Sequence, residues 1–421
     1  MSRRRLVLVL WMLSVGLLSY LLYTPLPQDL EDQFGATFVM VVAKLVLILP
    51  QKTRELLGQG LYLNNLRKLQ SQPACEASWS PVTSWFGGLN VTRATIEGLH
   101  VIVYKHWDAE DAPLRPGFIY FHGGGWVIAS ADSYDWNVYD FALCTGSVAI
   151  SVDYSLAPQH PFPAAFNDAL SVTRHILRHG RKFGIDATRV GVAGDSTGGN
   201  LAAATALHVA KTPLDHPLLR YQVLICPMLQ ALDYQLPSYS DNDGLLPILT
   251  TKHAGGYASI YLGLGEGNGD AHGEIFKSNR HVSVQFRTKS KYAAYINKTN
   301  LPEKYRTSER DSPMMHEPHN ETVFQRIKHL VVDPRFSPLM ADDVSGLPRT
   351  HIVAQRFDVV RDDGLLYAKR LRDAGVETSV HTGNGFHIDH IKLTPEFLHS
   401  KTGAEAIDGI CRFVTNAVKQ D

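Results

Sequence analysis

The segment Gly191-Val-Ala-Gly194-Asp195-Ser196-Thr197-Gly198-Gly199-Asn200 contains Gly-x-Ser-x-Gly. This pattern suits nucleophilic catalysis when a strand runs into it and a helix leaves it. The turn must then be so tight that the serine sits in a strained conformation. Gly194 and Gly198 remove side chains that would collide there. The Ser196 hydroxyl is lifted clear of the sheet, at a helix N-terminus whose dipole favours developing negative charge. A glycine-rich phosphate-binding turn is the rival, but neither the G-x-G-x-x-G nor the Walker A spacing is present.

Attack on a carbonyl creates an oxyanion that needs preplaced donors. His122-Gly123-Gly124-Gly125-Trp126 supplies glycines whose backbone amides can approach a ligand closely. The N–H groups of Gly123 and Gly124, with that of Thr197 after the nucleophile, are assigned as the oxyanion hole. Gly125 completes the loop, and Trp126 packs it or lines an acyl pocket. His122, at the end of the strand that carries this loop, is read as a brace for it rather than as the base.

An acid and a base are expected in the chain order Ser, Asp, His. Asp358 follows the apolar run His351–Ala354, at a strand's C-terminal end where α/β sheets gather catalytic groups. Asp362 and Asp363 compete with it, but they open the next helix, where carboxylates cap N–H groups. His387 follows the last strand in the loop Gly383-Asn-Gly-Phe-His. Its rivals are His381, inside the strand pattern, and His390, further along. The expected triad is Ser196, Asp358 and His387.

These residues need a sheet with its strand ends on one side. Short apolar runs at Phe118–Phe121, Ser147–Val152, Arg189–Ala193, Tyr221–Ile225, His351–Ala354 and Thr378–Thr382 read as strands. Ala164–His179, Asn200–Val209, Gly364–Arg372 and Ile407–Val418 have helical spacing. The alternation implies an α/β fold with a mostly parallel central sheet flanked by helices. Residues 231–335, rich in Gly, Asn, His, Lys and Arg, interrupt it. They are expected to form a cap or lid between the two parts of the core, 95–230 and 336–421.

Arg3, Arg4 and Arg5 precede an uncharged apolar run, Leu6–Tyr23, followed by Pro25 and Pro27. Eighteen helical residues span about 27 Å, close to the hydrocarbon thickness of a bilayer. With no small-residue cleavage site, residues 1–24 are expected to be a cytoplasmic stub and signal-anchor transmembrane helix, a cleaved signal peptide being the alternative. The arginines then stay cytoplasmic and the rest is lumenal, a single-pass type II arrangement in the endoplasmic reticulum. The sequons at Asn90, Asn297 and Asn320 all lie downstream of the anchor. Residues 25–94 form an N-terminal segment whose apolar stretch Ala36–Leu49 is too short to span. It either covers the core or dips into the lumenal leaflet near the active site.

The chain has 421 residues, with 41 Lys+Arg against 41 Asp+Glu, so its formal net charge is zero and it is not expected to bind nucleic acid. At 44% hydrophobic it can bury a large core. Cys75, Cys144, Cys226 and Cys411 show no CxxC pair, which argues against structural zinc. Their pairing in an oxidising lumen stays open.

The HGGGW loop, the GDSTGGN turn, the block from Val152 to Ala165 and the run after Asp358 together resemble the hormone-sensitive-lipase-like branch of the α/β-hydrolases. With the anchor, the similarity is to its membrane-bound members. It covers residues 95–230 and 335–395 well. Two departures stand out: Thr197 replaces a frequent alanine, and Ile388-Asp389 follow His387 where the branch commonly has glycine. The resemblance implies a cap-bearing α/β-hydrolase fold and two-step acyl transfer on a lipophilic ester or acetyl amide. No metal or organic cofactor is expected. A catalytically inactive ligand-binding receptor on the same fold is the alternative. A glycosylated adhesion-type ectodomain, a third option, does not explain HGGGW or the serine turn.

Overall fold

Eight strands form one sheet in the order β1-β2-β4-β3-β5-β6-β7-β8. They are β1 (Leu89–Ile96), β2 (Leu99–His106), β3 (Arg115–Phe121), β4 (Val148–Val152), β5 (Ile185–Asp195), β6 (Tyr221–Ile225), β7 (Arg349–Val353) and β8 (Thr378–His381). The structure is a computed structural model and describes residues 88–107, 112–212, 217–246, 249–265, 269–307, 318–387 and 400–419, with isolated positions between 11 and 44.

From β3 onward every neighbouring pair is parallel. β1 and β2 depart from the expected alternation. They are an antiparallel hairpin, and β2 also pairs antiparallel with β4. The hairpin turn is Glu97-Gly98, both at positive φ (50° and 81°), the two-residue geometry that matches strand twist. The sheet therefore begins at Leu89, inside the 25–94 segment.

Helices α1 (Asp135–Thr145), α2 (Ala164–His179) and α3 (Ser196–Lys211) follow β3, β4 and β5. Ile119 and Phe121 of β3 join one core, while Phe118 and Tyr120 join the other. This period-2 split puts apolar surface on both faces, so both must be covered. Among the described residues the cap region holds five α-helices, α4 (Pro237–Asp241), α5 (Thr251–Tyr261), α6 (Gly269–Lys277), α7 (Val284–Lys289) and α8 (Glu321–Ile327), with short 3-10 turns between the last two. They are not a loose excursion. Tyr234, Tyr261, Phe276 and Ile327 are buried in the same core cluster as the sheet residues Ile119 and Val192.

The chain closes with α9 (Arg361–Asp373) and α10 (Lys401–Ala417). Cys144 of α1 is disulfide-bonded to Cys411 of α10, 267 residues away. Cys226 is a free, buried thiol, and Cys75 lies outside the described residues. Among the described residues no helix is long and apolar enough to cross a membrane. The Leu6–Tyr23 run lies outside them except for Trp11, Met12 and Tyr23, whose side chains are exposed.

Four of the positions described between 26 and 44, Leu26, Leu30, Ala36 and Met40, pack on residues of the cap and of the second core part. Leu30 and Met40 are buried with Leu246, Phe357 and Phe386. Thr402 Oγ1 donates to Glu31 Oε2 at 2.9 Å, and Asp29 pairs with Arg356. Of the sequon asparagines, Asn297 is exposed. Asn90 is half-buried on β1, and Asn320 caps α8 by accepting from Val323 N–H at 3.0 Å.

Candidate active site

β5 delivers Asp195 and α3 begins at Ser196 with no intervening loop. Ser196 has φ 53°, a left-handed conformation that a β-carbon disfavours, and such strain clusters at functional turns. The flanking glycines explain how the turn closes. A Cβ on Gly198 would lie 2.0 Å from the Phe121 carbonyl oxygen, and one on Gly194 would lie 2.4 Å from the Gly198 backbone. No other residue fits either place. The Ser196 side chain remains half-exposed.

The expected acid and base follow the last two strands. Asp358 follows β7, His387 follows β8, and both are buried. His387 Nδ1 lies 2.8 Å from Asp358 Oδ2, and Val360 N–H donates to Asp358 Oδ1 at 3.1 Å. Asn242 Nδ2 also donates to the Asp358 carbonyl at 2.8 Å, so the cap region steadies this loop. Burial pulls the His387 imidazole down. The Asp358 carboxylate, its hydrogen bond and the charge of Asp195 outweigh this and hold it above its ordinary value. Ser196, Asp358 and His387 thus sit beyond the C-terminal ends of β5, β7 and β8, three strands of the parallel part of the sheet, with β6 between β5 and β7.

The rivals have other work. Asp363 accepts from Leu229 N–H (2.9 Å), Gln230 Nε2 (3.1 Å) and Tyr239 Oη (3.1 Å). Asp362 accepts from Ser238 N–H at 2.8 Å and pairs with Arg361. The two carboxylates tie the start of the cap region to α9. His381 ends β8, and its imidazole is lowered by burial. His390 lies outside the described residues.

His122 is buried, with Nδ1 2.7 Å from the Gly123 carbonyl oxygen and its ring stacked on Tyr154 at 4.3 Å. Tyr154 Oη in turn donates to the His122 carbonyl at 2.7 Å. Burial lowers the His122 imidazole, as befits a neutral loop brace. Trp126, at φ 58°, stacks on Tyr261 of α5 with centroids 4.6 Å apart, so it anchors the cap to this loop. Tyr257 of α5 lies against Gly125, where a Cβ would meet its ring at 2.4 Å.

One assignment needs correcting. The Gly123 N–H donates to Asp195 Oδ1 at 2.9 Å, so it is already occupied. The amides of Gly124, Gly125 and Trp126 donate to no acceptor among the described residues. Thr197 lies in the first turn of α3, where N–H groups have no intrahelical acceptor. Of the three amides expected to form an oxyanion hole, those of Gly124 and Thr197 stay open and that of Gly123 does not.

Two functional residues escaped the sequence. Asp195, 1% exposed, accepts from Gly123 N–H, from Tyr120 Oη at 2.9 Å and from Tyr134 Oη at 2.9 Å. It fastens the glycine loop at Gly123 to the turn that carries Ser196. Its position inside the serine motif was the available signal. Cys226, just after β6, has its thiol beside Asp358 and His387, and its type and spacing gave no warning.

Comparison with known proteins agrees with this fold. A family model described as the alpha/beta hydrolase fold matches residues 118–288 and 290–390. Arylacetamide deacetylase of Oryctolagus cuniculus is 35% identical over 386 residues, covering 89% of this chain and 92% of the relative. Neutral cholesterol ester hydrolase 1 of Bos taurus is 33% identical over 391 residues, covering 89% and 90%. An esterase of Pyrobaculum calidifontis has the same fold, with a TM-score of 0.59 at 24% identity, covering 83% of this chain and 92% of that one.

Proposed function

Because this chain belongs to the alpha/beta hydrolase fold family, whose members similar to it include an arylacetamide deacetylase and a cholesterol ester hydrolase, we propose that it is a membrane-anchored serine hydrolase of lipophilic carboxylic esters or acetyl amides. The observation that carries this is the buried 2.8 Å contact between Asp358 and His387, on a sheet whose β5–α3 turn holds a serine at φ 53°.

The chemistry is two-step acyl transfer. His387 Nε2 takes the Ser196 proton as Oγ attacks the carbonyl carbon. Asp358 keeps the Nδ1–H tautomer and stabilises the imidazolium that forms. The oxyanion meets the amides of Gly124, Gly125 and Thr197. The imidazolium then protonates the leaving alcohol or amine, and water, activated by the same imidazole, releases the acid. The mechanism requires no metal or organic cofactor.

The test is Ser196→Ala. Hydrolysis of p-nitrophenyl acetate and labelling by a fluorophosphonate should disappear while the melting temperature stays unchanged. Labelling that persists refutes the nucleophile, and a wild-type chain without hydrolysis favours a ligand-binding receptor on this fold.

Two observations support a lumenal catalytic domain. The Cys144–Cys411 disulfide belongs to an oxidising compartment, and Asn297 is an exposed sequon. Sensitivity of the full-length chain to endoglycosidase H, lost on Asn297→Gln, tests this placement.

A further inference from the structure

Cys226 has no role in the acyl transfer described above, yet it stands against the catalytic pair. It follows β6 in a left-handed backbone conformation (φ 45°), and its N–H donates to the Val353 carbonyl at 2.8 Å. This ties it to the end of β7, the strand that leads to Asp358. Its thiol is fully buried and outside the disulfide. One ligating atom from each of Cys226, Asp358 and His387 lies within 4.8 Å of the other two. Among the described residues no other trio of His, Cys, Asp and Glu side chains meets that spacing.

A thiol, an imidazole and a carboxylate are the donor types that select zinc and related thiophilic cations over magnesium or calcium. Bonds of about 2.0–2.3 Å to a common centre bring such donors within about 3–4 Å of one another, so small side-chain rotations would close this trio. The charge balance is also favourable. A divalent cation held by one thiolate, one carboxylate and a neutral imidazole leaves a buried site with no net charge.

We propose that Cys226, Asp358 and His387 form an inhibitory site for a thiophilic divalent cation, which stops hydrolysis by entering between the catalytic acid and base. This rests on the hydrolase mechanism above. Zn2+ binds Cys226 Sγ, one Asp358 oxygen and His387 Nδ1. The thiol proton leaves to solvent. The Nδ1 proton moves to Nε2, so the imidazole stays neutral. The site passes from one negative charge to none, and one proton is released per ion bound. Two catalytic requirements fail together. Nε2, now an N–H, cannot accept the Ser196 proton, and Asp358 no longer fixes the tautomer.

The experiment uses the full chain in detergent, stripped with a chelator and dialysed. p-Nitrophenyl acetate hydrolysis is titrated with Zn2+ and, separately, with Mg2+, for the wild type, Cys226→Ala and Cys226→Ser. Each is normalised to its own metal-free rate. Zinc bound per chain is measured by equilibrium dialysis on the same samples. The expected result is inhibition of the wild type by Zn2+ and not by Mg2+. Its midpoint should rise about tenfold or more in both variants, with one fewer zinc bound per chain. Equal zinc midpoints in wild type and variants, or a zinc-insensitive wild type, overturn the site. Should the wild type show no metal-free hydrolysis, the catalytic assignment fails instead, and dialysis alone decides the metal site. Either substitution serves if the other fails to fold.

Discussion

Asp195→Asn tests the coupling between the oxyanion loop and the nucleophile. The wild-type carboxylate accepts three hydrogen bonds, from Gly123 N–H, Tyr120 Oη and Tyr134 Oη, each at 2.9 Å. Burial and then the Asp195 charge push both phenols well above their ordinary range, so they remain protonated donors. Hydrogen bonds to a charged acceptor contribute about 1.5–3 kcal/mol each, and neutral ones about 0.5–1.5. Asparagine keeps one acceptor oxygen for Gly123 and Tyr120, and Tyr134 can rotate its hydroxyl to accept from the new NH2. All three bonds survive as neutral ones. The loss is about 1 kcal/mol each, or about 3 kcal/mol of stability in total. The kinetic effect is separate. Losing an oxyanion donor outright costs about 10²–10³ in kcat. Loosening the Gly123 clamp misplaces the Gly124 and Gly125 amides without removing them, so kcat should fall about tenfold or more below that limit. KM for a short ester should change little, because the damage appears only once the oxyanion forms. The assays are denaturant unfolding and steady-state hydrolysis of p-nitrophenyl acetate. Tyr134→Phe, which removes one donor and keeps the charge, should lose stability with a much smaller change in kcat. An Asp195→Asn enzyme that is destabilised but has wild-type kcat refutes the clamp.

Asp358→Asn removes the main charge that raises His387, so the acidic limb of kcat/KM should move to lower pH as the rate falls by orders of magnitude. An unmoved limb would assign that titration to another group. Opening the disulfide with Cys144→Ala and Cys411→Ala should cost about 2–5 kcal/mol in unfolding experiments while leaving kcat near wild type, since neither sulfur touches Ser196, Asp358 or His387. Asp363 is raised by burial to about 7 despite its three donors. A carboxyl whose folded pKa exceeds its unfolded one stabilises below the unfolded value, about 4, and loses that contribution as pH rises through about 7. Melting curves of Asp363→Asn should therefore show a flatter pH dependence than the wild type between those limits.

Much of the core was legible because its signals are local. Ala164–His179 reads as a helix from its apolar spacing and is observed over those same residues. The strand runs Phe118–Phe121 and Tyr221–Ile225 fall within β3 and β6. α3 was expected from Asn200 but starts at Ser196, because Gly198 and Gly199 lower helix propensity while packing against Phe121 and Pro227 requires them. The β1–β2 hairpin went unread, since its Glu97-Gly98 turn is only two residues long. At the site, residue types pointed to Ser196, Asp358 and His387. They could not say which way each amide of the glycine loop faces. Gly123 turns toward Asp195 because Tyr120 and Tyr134 help bury that carboxylate there, and this contact exists only after the sheet forms. Cys226 had no local signal at all, since its neighbours Asp358 and His387 arrive from the far end of the chain.

The seating of Leu30 and Met40 against Phe357 and Phe386 has a practical consequence for making a soluble catalytic domain. Those two phenylalanines directly precede Asp358 and His387. A truncation beginning near residue 50 would strip Leu30 and Met40 from them and delete the Asp29–Arg356 and Glu31–Thr402 contacts as well. Such a domain could keep its sheet and still have a slack acid–base pair. The cut that removes the apolar run and spares the catalytic loops falls between Tyr23 and Leu26.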